Sequence, residues 1–333
     1  MFLRLLPAAL LAGMASALLP AAGRADALDY CQSFSILVEN DVFTGSDRHY
    51  TNGFRASCLS AEGKMPGYGE WLGRNLPMLA ENGAKRMGFA IGQNIYTPEN
   101  ISISAPQPAD RPWAGWLYGE VSVVSETRER LDTAALSLGV VGPWSGAEFT
   151  QRRWHELINV QDPKGWGNQL DNEPALNLTL DRQWRYLALP NLLGLNADIT
   201  PHLGGAVGNV MTHVAAGATF RFGEDLVDDF GGPPRIRPSL PGAAHFKPHD
   251  GFGWYVFAGF EGRAVARNIF LDGNTFGGGP SVDKKPLVGD AQTGVALVFP
   301  RFRITYTWVF RTKEFYGQDE GDLFGAISLT ARF

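Results

Sequence analysis

The sequence predicts an all-β protein: a transmembrane antiparallel β-barrel of about twelve strands, with a short helix in an extracellular loop. Three observations predict it. The chain ends on an alternating segment, with Ile327, Leu329, Ala331 and Phe333 on one face and Ser328, Thr330 and Arg332 on the other. A two-residue period with one apolar and one polar face is what a barrel wall in a membrane requires. At the other end, Met1 to about Ala27 reads as a secretory signal: Arg4, an apolar core from Leu5 to Leu19, and Ala25-Asp26-Ala27 as a small-x-small cleavage site. Finally, no later apolar run reaches the ~20 residues a spanning helix needs. An exported chain with strong alternation is then either a secreted β protein or a barrel of the Gram-negative outer membrane.

Strands are expected near 33–40, 51–60, 86–95, 114–124, 132–142, 174–188, 195–206, 211–222, 252–265, 288–299, 301–312 and 322–333, an even set as single-chain barrels require. Segment 301–312 has the cleanest pattern, with Phe302, Ile304, Tyr306, Trp308 and Phe310 outward and Arg301, Arg303, Thr305 and Thr307 inward. Arginines in phase cannot face lipid, so that face must line the lumen. Leu176, Leu178 and Leu180 against Asn177, Thr179 and Asp181 repeat the pattern. Residues 28–333 read as one domain without repeats. Two connections are long for periplasmic turns. Segment 61–85, with Trp71, Leu72, Leu76 and Leu79, is expected to hold a short helix across the barrel foot; 223–251 is rich in Gly, Pro and Asp and reads as irregular.

Composition agrees. Forty glycines and a 12% aromatic share suit close-packed strands with interfacial girdles. A net charge of −5 offers no basic field for nucleic acid. The two cysteines fall out of phase, Cys31 with Ser33 and Ser35, Cys58 with Phe54 and Ala56, so strand parity argues against a bridge unless a bulge shifts the register.

Candidate chemistry collects at the outer rim. Both termini of such barrels sit on the periplasmic side, so the end of the first strand, Glu39-Asn40-Asp41-Val42-Phe43, and the start of the second, Asp47 to Gly53, face outward from the cell. Asn40, Asp41 and Thr51 offer the amide, carboxylate and hydroxyl oxygens that a hard cation wants, although Asn and Asp at a strand end are more often turn formers. The connection after the fifth strand is far above usual loop length. It opens on Gly142-Pro143-Trp144-Ser145-Gly146 and reads as a helix from Ala147 to Asn159, expected over the outer mouth. Gln151 and His155 share one face of that helix. Such a histidine can be oriented for proton transfer; the plainer alternative is a solvated surface histidine. His155-Glu156 has no second histidine at zinc-protease spacing, and there is no G-x-S-x-G elbow. Asp225, Asp228 and Asp229 read as a solvated turn.

At these residues the sequence resembles the outer-membrane lipid A 3'-O-deacylase family. The resemblance rests on Glu39-Asn40-Asp41-x-Phe43, Tyr50-Thr51-x-Gly53, Gln93-x-Ile95-Tyr96-x-Pro98, and Gly142-Pro143-x-x-Gly146 through Gln151-x-x-x-His155 to Gly165-Trp166. It implies a twelve-stranded barrel, Ca2+ at the outer rim, and hydrolysis of an ester-linked acyl chain on lipid A of the outer-leaflet lipopolysaccharide. By position, Asn40, Asp41 and Thr51 match its metal residues, and His155 with Gln151 its catalytic pair. Two positions depart from the family pattern. A family glutamate following the histidine is replaced by Gln161, with Asp162 beside it. The basic residues after the Tyr-x-Pro stretch are absent from Glu99 to Asp110, leaving Arg111, Arg152, Arg153 and Lys164 to meet a lipid A phosphate. A monomer is expected. The rival readings are an outer-membrane phospholipase, which needs a serine beside the histidine, and a passive channel lined by Arg55, Glu120, Asp181, Arg301 and Arg303.

Overall fold

The computed structural model describes residues 31–44, 49–192, 194–224, 226, 230–246 and 251–333; of 42, 44, 49–51 and 187–192 only the backbone is described. The signal segment 1–27, the Asp225, Asp228 and Asp229 cluster and His249 lie outside the described residues. Thirteen strands follow in order: β1 (Ser33–Asn40), β2 (His49–Leu59), β3 (Ala84–Thr97), β4 (Ala114–Glu126), β5 (Arg130–Val141), β6 (Glu173–Trp184), β7 (Tyr186–Leu192), β8 (Leu195–Gly208), β9 (Met211–Gly223), β10 (Gly253–Asn268), β11 (Leu287–Val298), β12 (Phe302–Arg311) and β13 (Asp322–Arg332). Among the described residues three α-helices join them: α1 (Gly67–Asn75), α2 (Ala147–Ile158) and α3 (Ile269–Asp272). Neighbouring strands pair antiparallel, β1 pairs with β13, and β6 pairs with β8. Twelve strands therefore close the barrel, as the alternation predicts. The expected single strand 174–188 divides at Arg185, and β7 extends the wall as a flap paired only with β8.

Alternation separates the two faces as expected. On β12, Arg303, Thr305 and Thr307 are buried while Phe302, Ile304, Trp308 and Phe310 are exposed; on β6, Leu176, Leu178 and Leu180 face outward over buried Asn177, Thr179 and Asp181. Arg301 departs from the expectation: it lies exposed in the turn before β12, because the ladder begins only at Phe302. Cys31 and Cys58 are joined as a disulfide, correcting the parity argument. Cys31 precedes Ser33, the first ladder residue of β1, so the alternation that fixes Cys58 beside Phe34 does not bind it.

The lumen is filled. Residues 230–246 of the irregular β9–β10 connection enter from the periplasmic end as a plug, with Phe230, Ile236, Leu240 and Phe246 buried. The wall holds the plug mainly by its carbonyls: Arg303 donates to Ala243 O at 2.8 Å, Arg332 to Phe246 O at 3.1 Å, and Arg311 to Pro238 O at 3.1 Å. Near its tip Arg235 pairs with Glu39 at 3.0 Å, and Arg237 pairs with Asp181. The wall charges pair among themselves too, Arg55 with Glu120 at 2.8 Å and Arg263 and Arg311 both with Asp290. Above the plug, Tyr96 stacks on Phe270 of α3 at 4.0 Å and Trp116 lies beside them, closing the outer mouth. Two internal cavities lined partly by the plug measure only about 30 and 70 Å³.

Candidate active site

Helix α2 does not cover the mouth. It lies against the outside of the barrel, which corrects the placement expected from its loop. Along β4 the lumen face carries Trp116, Tyr118 and Glu120, so Gly115 points outward. A Cβ on Gly115 would stand 2.2 Å from both Ala147 Cβ and Ser145 Oγ. Glycine at this position is what lets the helix reach the wall. On β3 the outward residues Phe89 and Ile91 are exposed, whereas Ile95 higher up is buried with Trp113, Ala147 and Trp166. Gln93 Nε2 donates to Ser145 O at 2.7 Å and latches the preceding turn. That turn enters the helix through Gly146 at φ 69°, a left-handed conformation natural to glycine.

The helix buries Ala147, Gln151 and His155, residues one turn apart on the face toward the wall. His155 is only 3% exposed, so the solvated-surface alternative does not hold. Its Nδ1 lies 2.5 Å from Gln161 O. A carbonyl only accepts, so Nδ1 is the donor in this bond and Nε2 is the ring nitrogen left for other partners. Thus the main chain of residue 161, rather than a carboxylate, orients the imidazole. Asp162 points elsewhere: both its oxygens take Arg152 Nη1, at 2.8 and 2.7 Å. Gln151 Oε1 accepts from Trp166 Nε1 at 2.7 Å, while its buried Nε2 has no partner among the described residues. A buried amide with one end tied and the donor end open is an aimed donor.

The remaining candidates fall in two groups. Asn40 and Asp41 are each 1% exposed, at the end of β1 and the start of a 3-10 turn. Asn40 pairs with Asn52, Asn52 with Ile95, and Ile95 with Gly115. This single row runs along the wall from the metal candidates to the seat of α2; Asn40 and Ile95 are two strand spacings apart, roughly 10 Å. Thr51 falls at the bulge between Tyr50 and Asn52, its side chain outside the described residues. The basic candidates separate. Arg111 is buried, donates to Glu314 at 3.3 Å and lies over the Tyr96 ring, on the lumen side. Arg152 is held by Glu148 and Asp162. Burial works against its charge, but these hydrogen bonds outweigh it and raise its pKa above the ordinary arginine value. Lys164 is exposed, and its backbone N–H is tied to Ile101 O at 2.9 Å. Sequence reasoning missed the carbonyl of Gln161 and the wall residue Gly115; the Gln93-x-Ile95 stretch held the only signal of the contact surface.

The donor set of Asn40, Asp41 and Thr51 is all oxygen and fits a hard divalent ion. Among the described residues no cluster of three or more His, Cys, Asp or Glu stands together.

The family model described as Outer membrane protein LpxR matches residues 6–333. Among solved structures, LpxR from Salmonella typhimurium aligns at a TM-score of 0.74 and 22% identity, covering 90% of this chain and 100% of that one. The β domain of the Bordetella autotransporter BrkA aligns at 0.44 and 10% identity over 92% of this chain and 100% of its own. The NanC porin aligns at 0.38 and 6% over 90% and 100%. No curated protein matches by sequence. The match across nearly the whole chain, on a closed twelve-strand barrel, makes this chain a member of the LpxR family of outer-membrane proteins, the lipid A 3'-O-deacylase family that its motifs resemble.

Proposed function

We propose that this protein is an outer-membrane lipid A deacylase, acting as a monomer, that hydrolyses an ester-linked acyl chain at the 3' position. One observation carries the reading: His155 is buried between a loop helix and the lipid-facing wall, with Nδ1 occupied by Gln161 O so that Nε2 is the ring nitrogen available to a substrate. Nε2 takes a proton from water as the water attacks the ester carbonyl, then returns it to the leaving alkoxide. The tie to Gln161 keeps the ring from turning and favours the imidazolium that forms. Gln151, fixed by Trp166, presents Nε2 as a donor to the reacting oxygens. Asn40, Asp41 and Thr51 would hold Ca2+, which when bound supplies positive charge for the developing oxyanion. Of the basic candidates, Lys164 and Arg153 are exposed, Arg153 paired with Glu156 at 2.8 Å, which leaves Lys164 for a lipid A phosphate; Arg152 is tied to two carboxylates and Arg111 to Glu314.

The phospholipase alternative needs a serine on the His155 ring, whose one hydrogen-bond partner among the described residues is Gln161 O. The channel alternative meets the plug. The test is mass spectrometry of lipid A after incubation with purified protein. His155→Ala is expected to remain a folded barrel and lose ~10²–10⁴ in rate, the usual worth of a general base. Chelation should abolish release and calcium should restore it. Undiminished acyl release by His155→Ala would sink the assignment. Turnover of phospholipid but not lipid A would favour the alternative.

A further inference from the structure

At the periplasmic edge, residues 77–82 lie on the outward face of β4 to β6 without belonging to the barrel. Arg182 Nη2 donates to Met78 O at 2.5 Å, Ala80 N–H to Asp132 Oδ2 at 3.1 Å, and Ser125 Oγ to Ala80 O at 3.0 Å. Asp132 is fully buried there and also holds Arg130 at 2.9 Å and Arg182 at 2.7 Å. A carboxylate buried on a lipid-facing wall needs all of these partners, since losing one leaves a buried charge uncompensated.

Two grooves flank it. The polar one, about 670 Å³, is lined by Glu81, Arg128, Glu129, Arg130 and Trp184. The apolar one, about 650 Å³, runs along the wall past Met78, Leu178, Leu180, Leu203 and Val207, and Trp184 lines it too. A tryptophan between a charged and an apolar groove marks the headgroup level of a bilayer. Glu81, Arg128 and Glu129 are exposed and form no ion pair among the described residues.

We propose that these joined grooves bind one zwitterionic glycerophospholipid of the phosphoethanolamine type from the periplasmic leaflet. Its phosphate meets Arg128, its ammonium meets Glu81 and Glu129, and one acyl chain lies in the apolar groove; Arg130 lines the same groove but is held by Asp132. One free base and two free acids in one groove suit a headgroup carrying both signs, and a primary ammonium, unlike a quaternary one, can donate hydrogen bonds to both carboxylates; an anionic headgroup would leave the carboxylates opposed. The apolar groove is continuous with the lipid-facing wall, so a chain enters it without leaving the membrane. The site stands at the opposite membrane edge from His155 and does not depend on the enzyme reading.

Native mass spectrometry of the whole protein in non-ionic detergent tests this, with phosphatidylethanolamine, phosphatidylglycerol and phosphatidylcholine of the same chains at equal concentration. The ethanolamine lipid should be retained about fivefold over either competitor, the worth of about one charged contact near a bilayer surface. Arg128→Glu should erase that preference, and Leu203→Trp, which fills the apolar groove, should lose the adduct; heat-modified gel migration confirms that both variants fold. Equal retention of the three lipids, or a preference that survives Arg128→Glu, overturns the proposal in favour of ordinary annular lipid.

Discussion

Helices α1 and α2 lie on the outside of the same two strands, one at each edge of the membrane. Helix α1 rests on the periplasmic end of β3: a Cβ on Gly69 would stand 2.8 Å from Met87 Sδ, and one on Gly73 would stand 3.0 Å from Lys85 Cδ. Helix α2 rests on the outer end, over Ile95 and Gly115. Met87 and Ile95 are eight residues apart on the strand, which with barrel tilt is roughly 20 Å across the membrane, close to the ~25 Å apolar band. The difference is in what each helix hides. The buried residues of α1 are Gly69 and Gly73 alone, so its seat is plain packing. Those of α2 include Gln151 and His155. Hiding an amide and an imidazole against a lipid-facing wall is costly unless they are hydrogen-bonded or used, and Gln151 Nε2 is not bonded to any described residue. One helix trims the barrel; the other carries the proposed chemistry.

The sharpest way to break this comparison is to unseat each helix in turn. Gly115→Leu should lift α2 from the wall and lower acyl release by ~10²-fold or more, since small misplacement of reacting groups has that effect. Gly69→Leu should unseat α1 and leave acyl release unchanged; a matching fall would show the two helices to be equivalent. A subtler probe is Trp166→Phe, which removes the donor holding Gln151 Oε1. The lost bond in a buried site is worth ~1–3 kcal/mol, so activity should fall roughly tenfold with the barrel intact. At the periplasmic end, Asp132→Ala should weaken the anchoring of residues 77–82, detected as faster proteolysis there, without altering lipid A turnover. The smallest effect on activity is expected from Cys58→Ser. Losing a bridge that closes 27 residues should cost about 2–4 kcal/mol of stability, read as an earlier thermal transition, with catalysis unchanged.

The wall was legible in the sequence because its signal is carried by side chains. Arg303, Thr305 and Thr307 alternate with Phe302, Ile304 and Trp308, and the buried face follows. The pairing of Gln151 and His155 on one helical face was legible for the same reason. What escaped is carried by main-chain atoms. The plug binds the wall through the carbonyls of Pro238, Ala243 and Phe246, an acceptor every residue owns. The imidazole is oriented by the carbonyl of Gln161, which no residue type announces. The outward seat of α2 depended on the phase of Gly115, a residue whose role is to have no side chain. The divided strand at Arg185 is a backbone event as well. The metal candidates stand between these cases, since Asn40 and Asp41 are where the motif put them while Thr51 shows only its backbone.

The corked interior has a consequence for the cell. A bacterium that raises the amount of this protein at its surface adds catalytic capacity without adding a hole. Permeability to antibiotics and bile salts should therefore stay constant as expression climbs, so surface remodelling and barrier integrity can be adjusted independently.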